Sequence, residues 1–502
     1  MRSIKEYLSQ RMSRRDSMKL SGLALGGLAL GSRADADCVE PTIACYPSPI
    51  DTQKYTFFDD LPELRYDLGV YPPLEPNEMR ISFMGSSIPP TRRAQAMMSV
   101  FVEVGGGEGG RASDQAVFDC GSGVCANYDA MDVGFGRMDK VFINHLHGDH
   151  MNDLTHIYCF GPSGDRRHPL YVWGSSPSQV KNPGRSPKYY ADGTRNYCKH
   201  LRELCRWHSE SFSFESTMTK EYELPTMDDW GLPHELVQVG DDPPTDGYAL
   251  YPIELDWRKT GVAYHNKTTG MKITHFPVIH TRQGAMGYKV EWNGLSMIYT
   301  SDTKPELNTI VQGSNGGKGV DVLVHEMVPA PEVWAMKQLG YDRPGKGPLW
   351  DTTLENIQTV QDSSHTPQGA FGYLLSQIFP RPKLTVATHF PTSNDTVACA
   401  LGSVKRHVPN VNVLMPNPDL CWSFDRMVIR VFGQIPGGPK PSIQIVKAKV
   451  LEFGYSPFPQ LIGQTFYPPK YHDRKGNPDP YAQLDMSTAI LPGPDTFCED
   501  GY

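Results

Sequence analysis

The alternation of apolar and polar positions repeats one small pattern along this chain. A short β-branched or apolar run is closed by a single residue able to bind a metal or carry a proton. Val141-Phe142-Ile143 leads to His145, Met297-Ile298-Tyr299-Thr300 to Asp302, Val322-Leu323-Val324 to His325, and Leu384-Thr385-Val386-Ala387-Thr388 to His389. Runs of this length read as buried strands, and strand ends in layered α/β folds converge on one crevice. Earlier runs at 80–85, 99–104 and 116–120 add further strands, so a mixed sheet is expected. Residues 160–270 hold no sustained period and read as an irregular insertion with one helix at 196–207. A stretch of that length serves as a lid, a substrate wall or an oligomer contact. A last strand is expected at 443–450, before an aromatic, Pro-rich tail that ends at Tyr502.

The densest chemistry is His145-Leu146-His147-Gly148-Asp149-His150, four metal-capable side chains directly after an apolar strand. A strand that breaks at a glycine can turn His145 and His147 toward one point and Asp149 and His150 toward a second. Neutral imidazole and carboxylate suit zinc, and less selectively manganese or iron. The cluster contains no cysteine, which argues against a closed structural zinc site.

The N-terminus changes the expected compartment. Ser13-Arg14-Arg15-Asp16-Ser17-Met18-Lys19, a Gly/Ala-rich apolar stretch at 20–30 and Ala34-Asp35-Ala36 follow the pattern of a twin-arginine export signal cleaved before Asp37. Its apolar core is too short to hold a bilayer span. Residues 1–36 carry seven Lys or Arg against three Asp or Glu, so their removal takes the net charge from −8 to −12. An acidic surface repels polyanions, and nucleic acid is not an expected partner. The expected partner at this point is the twin-arginine machinery, with a homodimer left open, and the expected location is periplasmic or secreted. All ten cysteines follow the cleavage point, where an oxidising compartment permits disulfides. Cys38/Cys45, Cys120/Cys125 and Cys198/Cys205 are the locally spaced pairs, with free buried thiols as the alternative.

On these residues the chain resembles the metallo-β-lactamase superfamily, and within it the branch of tRNase Z and related arylsulfatases. The resemblance covers about 79–400 outside the insertion. Residues 79–89 are similar to the family's opening strand and glycine turn, Val117-Phe118-Asp119-Cys120-Gly121 to its second landmark, and 144–150 to its signature. The fold this implies is α/β, a four-layer αβ/βα sandwich of two mixed sheets. Its expected limits are a signal at 1–36, an extended segment at 37–78, the fold domain at 79–435 and a Pro-rich extension at 436–502.

The resemblance also implies a site with two divalent metal ions, zinc first among them. His145, His147 and His280 would hold one ion, Asp149, His150 and His389 the other, and Asp302 would bridge them. His275 competes with His280, but the two positions differ by an odd number and face opposite sides of a strand. Only His280 stands at the family offset from Gly287-Tyr288. Asp321-Val322-Leu323-Val324-His325-Glu326 is similar to the motif that sets a histidine and a glutamate beside the metals, and Ser364-His365-Thr366 to one bearing a catalytic histidine. The implied reaction is cleavage of a small phosphodiester or sulfate ester by metal-bound hydroxide. Asp149 would position the water or accept its proton, and His365, held by Glu326 or His325, would protonate the leaving oxygen.

One departure counts against tRNA processing. tRNase Z enzymes carry a long arm between the late histidine and the bridging aspartate, whereas only a hairpin's worth of residues separates His280 from Asp302 here. A tRNA 3′-processing endoribonuclease is therefore the alternative, and a non-catalytic metal-binding protein of a secreted complex a further one.

Overall fold

The alternation seen in sequence becomes two sheets in the computed structural model. It describes residues 73–446 apart from 90–94, 132, 185, 213–216, 342, 393, 414–417 and 436; the stretch expected to be an export signal, Cys38/Cys45, most of the 37–78 segment and the tail beyond 446 lie outside the described residues. The seven cysteines among the described residues are free thiols, so neither Cys120/Cys125 nor Cys198/Cys205 is bonded. The first sheet contains β1 (Glu78–Gly85), β2 (Ser99–Val104), β3 (Asp114–Phe118), β4 (Lys140–Phe142), β5 (Leu170–Ser175) and β6 (Leu250–Leu255). The second contains β7 (Gly261–His265), β8 (Lys272–Pro277), β9 (Met286–Trp292), β10 (Leu295–Tyr299), β11 (Val322–Glu326), β12 (Leu384–Thr388) and β13 (Leu420–Trp422). The chain then returns to the first sheet with β14 (Val428–Phe432) and β15 (Ser442–Val446), so the strand orders are β15-β14-β1-β2-β3-β4-β5-β6 and β13-β12-β11-β10-β9-β8-β7.

Both sheets are mixed. β3 to β6 run parallel in the first, β10 to β13 in the second, and antiparallel strands complete each. The antiparallel β9–β10 hairpin turns at Asn293 and Gly294, both at positive φ (48° and 77°). That conformation matches the twist of the flanking strands, and Asn-Gly adopts it at little cost.

Period-two alternation sends one side chain in two to each face. The inner faces meet in a core that includes Phe83, Phe118, Phe142, Trp173, Tyr264 and Tyr288. Phe142 stacks on Trp173 with ring centroids 4.5 Å apart. The outer faces pack against helices. On the first sheet Val141 and Val172 meet Leu154 and Ile157 of one helix and Leu201 of another; on the second Leu323 and Ala387 meet Phe371, Leu374 and Ala400. Helix, sheet, sheet, helix is the four-layer metallo-β-lactamase-type sandwich that the sequence leads one to expect.

The helices used below are α1 (Gly148–Met151), α2 (Leu154–Phe160), α3 (Thr194–Leu204), α4 (Arg206–Glu210) and α5 (Pro348–Ser364). The stretch 160–270 departs from expectation. It is not irregular, because β5 and β6 are inner-sheet strands carrying Trp173, Tyr251 and Ile253 into the core, and β7 closes the second sheet. Its parallel, doubly covered strands alternate weakly in hydrophobicity, so no clean period marks them. The expected helix at 196–207 is observed as α3 and α4, broken at Cys205.

Candidate metal centre

The parallel strands of the two sheets end toward one crevice, and the expected site residues lie just past those ends. After β4 the chain passes His145, reaches His147 in extended conformation and enters α1 at Gly148. The change of direction separates the four motif side chains into two groups. His145 and His147 join His280, from the loop between β8 and β9, while Asp149 and His150 join Asp302, beyond β10, and His389, beyond β12.

The second group is a ring of four donor atoms. His150 Nε2 lies 3.3 Å from Asp149 Oδ2 and 3.3 Å from Asp302 Oδ1, and His389 Nε2 lies 3.3 Å and 3.4 Å from the same two oxygens. Donors about 2.0–2.1 Å from a tetrahedral ion stand about 3.3 Å apart, so this ring has the size of a zinc coordination shell. Among the described residues, His150 Nε2 and Asp302 Oδ1 are buried and make no well-formed hydrogen bond, though they stand 3.3 Å apart. Two such groups facing each other without a partner are costly unless a cation joins them. The other oxygen of Asp302, Oδ2, is 3.8 Å from His280 Nε2, so one carboxylate faces both groups.

The imidazoles are held with the correct nitrogen inward. His145 Nδ1 bonds Asn144 Oδ1 at 2.7 Å, His280 Nδ1 donates to the Ser364 carbonyl at 2.9 Å, and His150 Nδ1 donates to Asp119 Oδ2 at 2.9 Å. Outer partners of this kind fix the tautomer and leave Nε2 as a lone pair. His147 Nδ1 then sits 2.9 Å from His145 Nε2 and 3.1 Å from His280 Nε2. One N–H cannot satisfy both contacts, so at least two lone pairs face each other, an arrangement that a cation between them would relieve.

Electrostatics divides the groups in the same way. Burial first, then the neighbouring His150 and His280, push the His145 imidazole well below its ordinary range; burial lowers His147 also and brings His280 to about 4. In the ring, burial opposes the charged forms but loses. The Asp302, Asp149 and Asp119 carboxylates raise His150, and Asp302, Asp149 and Glu326 bring His389 to about 10. Burial would lift Asp149 and Asp302, yet the facing imidazoles hold both below the carboxylate range.

Glu326 and His365 complete the crevice. His365 Nδ1 is 3.0 Å from Glu326 Oε2, and Glu326 Oε1 accepts the Thr303 backbone N–H. Burial disfavours the imidazolium, but the Glu326 carboxylate raises the His365 pKa overall. The His365 ring centroid is 5.2 Å from that of His280 and 5.4 Å from that of His389.

The structure does not bring His325 into the crevice. β11 runs on through Glu326, so Leu323 and His325 face the helix layer while Glu326 faces inward. His325 Nδ1 instead donates to the carbonyl of Glu326 at 2.7 Å, and its ring lies edge-on to Phe371. His275 is also outside the centre, with Nε2 3.3 Å from the Asp256 carbonyl.

Asp119 is the residue that sequence reasoning missed as a site residue. Its Oδ1 accepts the Asn144 N–H at 2.8 Å, and its Oδ2 accepts from His150, Tyr299 (2.7 Å) and Ser301 (2.8 Å). It buttresses the signature and the Asp302 loop together. Asp119, Ser301 and His389 have φ of 56°, 54° and 52°. Non-glycine residues rarely occupy that left-handed region, and here the strain falls at three strand ends around the centre. The available signal was a strand-like run ended by an aspartate within the second landmark.

A cavity of about 360 Å³ opens over the His145/His147/His280 side. Ser178, Asp192, Tyr197 and His200 form one wall and Arg282 and Gly284 the other. Arg282 Nη2 is 2.6 Å from Asp192 Oδ2, and its guanidinium lies 4.4 Å from the Tyr190 ring centroid.

The fold and the donor sets define a two-sheet sandwich protein with a two-part metal-donor centre. No family model matches the chain. It is 34% identical to a ribonuclease Z of Natronomonas pharaonis over 105 residues, 20% of this chain and 31% of that protein. It is 25% identical to a ribonuclease Z of Mycolicibacterium gilvum over 231 residues, 45% of this chain and 62% of that protein. The chain thus spans about a third of the length of the first of these curated relatives. Among solved structures, the metallo-β-lactamase fold protein YhfI from Bacillus subtilis is 12% identical with a TM-score of 0.40, covering 70% of this chain and 98% of that one. The short form of human tRNase Z is 17% identical with a TM-score of 0.36, covering 70% and 98%.

Proposed function

We propose that the protein is a dinuclear metal-dependent hydrolase that cleaves a small phosphodiester or sulfate ester. The observation that carries this reading is Asp302, whose two oxygens face two separate donor sets, one of them a ring with edges of 3.3–3.4 Å. His145, His147 and His280 on one side and Asp149, His150 and His389 on the other would hold divalent cations, zinc first among them, which would supply Lewis acidity and a nucleophilic water at neutral pH. Asp149, at the edge of the ring, orients that water and takes up its proton. His365, clasped by Glu326, gives its proton to the leaving oxygen. The cavity of about 360 Å³ supports a small substrate, since it lies at the lower end of the range of ligand pockets.

Metal-verified protein assayed on an aryl phosphodiester, an aryl sulfate, a lactone, a β-lactam and a precursor tRNA tests the reading. Turnover of either of the first two supports it. Turnover confined to the lactone or the β-lactam overturns it. A tRNase Z-type endoribonuclease is the second reading, favoured by the local similarity to ribonuclease Z proteins. Cleavage of precursor tRNA with no aryl-ester turnover would establish it in place of the first.

We place the activity outside the cytoplasm, on the strength of the Arg14-Arg15 signal. Changing both arginines to lysine should retain the protein in the cytoplasm, and continued export would refute the twin-arginine route.

A further inference from the structure

The cavity over the imidazole half is lined by a single arginine, and that side chain is fixed in place. Arg282 stands two residues beyond His280 in the loop between β8 and β9, so the same loop brings a metal-facing imidazole into the crevice and a guanidinium to the cavity wall. The opposite wall comes from α3 and from the segment that joins it to β5. There Asp192 Oδ2 meets Arg282 Nη2 at 2.6 Å, and the Tyr190 ring backs the guanidinium at 4.4 Å from the ring centroid.

Asp192 is itself held by the wall behind it. Its Oδ1 accepts the Ser178 backbone N–H at 2.9 Å and its Oδ2 the Ser178 hydroxyl at 2.6 Å, so both of its oxygens are engaged. Arg282 is not used up in the same way. A guanidinium presents five N–H donors in a planar fork, and among the described residues Arg282 has no polar partner besides Asp192. Its side chain is 43% exposed where it lines the cavity. Asp192 is the one carboxylate among the residues lining that cavity, so no other acidic group there competes for the fork. Arg195 and Lys199, neighbours of the wall residues Asn196 and His200 on α3, are exposed and enter no ion pair among the described residues. The surroundings of this cavity thus favour an anion, although the chain as a whole is acidic.

We propose that Arg282 is a specificity-determining residue that binds a carboxylate on the organic part of the ester, so that the substrate places one anionic group at the metal donors and a second over the imidazole half. The inference rests on the hydrolase reading for the reaction, while the anion subsite stands on Arg282 and its cavity. A carboxylate matches the fork because its two oxygens accept two parallel N–H bonds. Asp192 and Tyr190 hold the fork in position before a ligand arrives, so little side-chain freedom is lost on binding. Asp192 also offsets the charge of the arginine at long range. Recognition then depends on the paired hydrogen bonds, which a neutral group of the same shape cannot reproduce. The wall that carries Asp192 is braced against the metal motif, since the Tyr197 hydroxyl of α3 donates to the Met151 carbonyl of α1 at 3.1 Å.

The test compares, on metal-loaded full-length protein, aryl phosphodiesters that differ only in a meta or para ring carboxylate or the isosteric carboxamide, and the same pairs of aryl sulfates. The native protein should favour the better-placed carboxylate in kcat/KM by about 10–100-fold, the range that hydrogen bonds to a charged group supply. Arg282→Met, which keeps an apolar stem against Tyr190, should bring that ratio close to one, and Arg282→Lys should retain part of it. A native ratio near one, or a ratio unchanged in Arg282→Met while both esters slow together, would overturn the proposal. Calorimetric binding of hydroxybenzoate and hydroxybenzamide needs no turnover and so separates this inference from the hydrolase reading. If no ester is cleaved, the hydrolase reading falls, yet tighter binding of hydroxybenzoate that is lost in Arg282→Met still upholds the anion subsite. Equal binding of hydroxybenzoate by the native protein and Arg282→Met overturns it.

Discussion

The two halves of the candidate centre share a crevice and a carboxylate, yet they are built on opposite electrostatic plans. His145, His147 and His280 are three imidazoles whose pKa values are lowered by desolvation and by neighbouring histidines, His147 though it stands exposed at the mouth, so a proton on them is disfavoured. Asp149, His150, Asp302 and His389 alternate acid and base around a ring, and each carboxylate holds protons on its neighbours. The imidazole half is open to a cation but offers little charge of its own to balance it. The ring supplies the charge but must release protons to accept an ion. Asp302 turns one oxygen toward each half and so would couple their titration and their occupancy.

Substitutions can break or sharpen this contrast. The largest effect is expected from Asp302→Ala, which should remove at least one bound ion and lower turnover by ~10³-fold or more. His389→Ala should empty chiefly the ring and spare the imidazole half. Elemental analysis of both variants decides, and full metal content in Asp302→Ala would remove that residue from the centre. Next in size is His365→Ala, expected to slow substrates with poor leaving groups by ~10²–10⁴-fold with both ions retained. Good leaving groups should suffer much less, because their departing oxygen barely needs a proton. Equal slowing of both classes, or loss of metal, would make His365 a ligand or a support.

Asp119→Asn is expected to be milder. It keeps the oxygen that accepts the Asn144 N–H but loses the one shared by His150 Nδ1, Tyr299 and Ser301, so metal affinity of the ring should drop by ~10–100-fold and that of the imidazole half by less. Competition with a chelator followed by elemental analysis measures both. Asp425 provides the smallest effect and the sharpest contrast with Asp302. It too is buried, but its first partners are neutral, the Ala96 N–H and the Ser86 and Asn127 side chains, and burial raises it to about 7. Its contribution to stability is therefore full below about pH 4 and is lost as the pH rises through 7. Asp425→Asn should gain on the native sequence in thermal midpoint between pH 5 and pH 8. A difference that stays constant across that range would refute the assignment.

The parts that sequence exposed are those where one residue type at one offset carries the chemistry. The signature and the strand ends before Asp302 and His389 have that character, whereas the strand parity used to set His280 apart from His275 does not apply, because β8 ends at Pro277 and His280 stands in the loop beyond it. His325 was misplaced because the apolar run ended at Val324 in sequence while β11 continued through two polar residues. A strand end judged from hydrophobicity stops where side chains become polar, whereas the ladder stops where pairing does, here at Glu326↔Thr388. β5 and β6 were absorbed into the insertion because strands covered on both faces lack the contrast that marks an exposed one. Asp119 was passed over because its partners, Tyr299 and Ser301 among them, come from the other sheet and are invisible to local spacing.

The donors of the centre are scattered from residue 145 to residue 389 and are drawn from both sheets. A chain that has emerged only through β6 can present His145, His147, Asp149 and His150, but neither half of the centre is closed until β8, β10 and β12 have been added and docked, and the first sheet itself is complete only with β14 and β15. Contacts of such long range form late, because the loop entropy must be lost before the contact is gained. Metal capture would therefore act as a checkpoint on folding, since a tightly held ion would report that the two sheets have met. For a protein exported in the folded state, as proposed here, that checkpoint falls before transport, and the ion is chosen by the compartment where the chain is made.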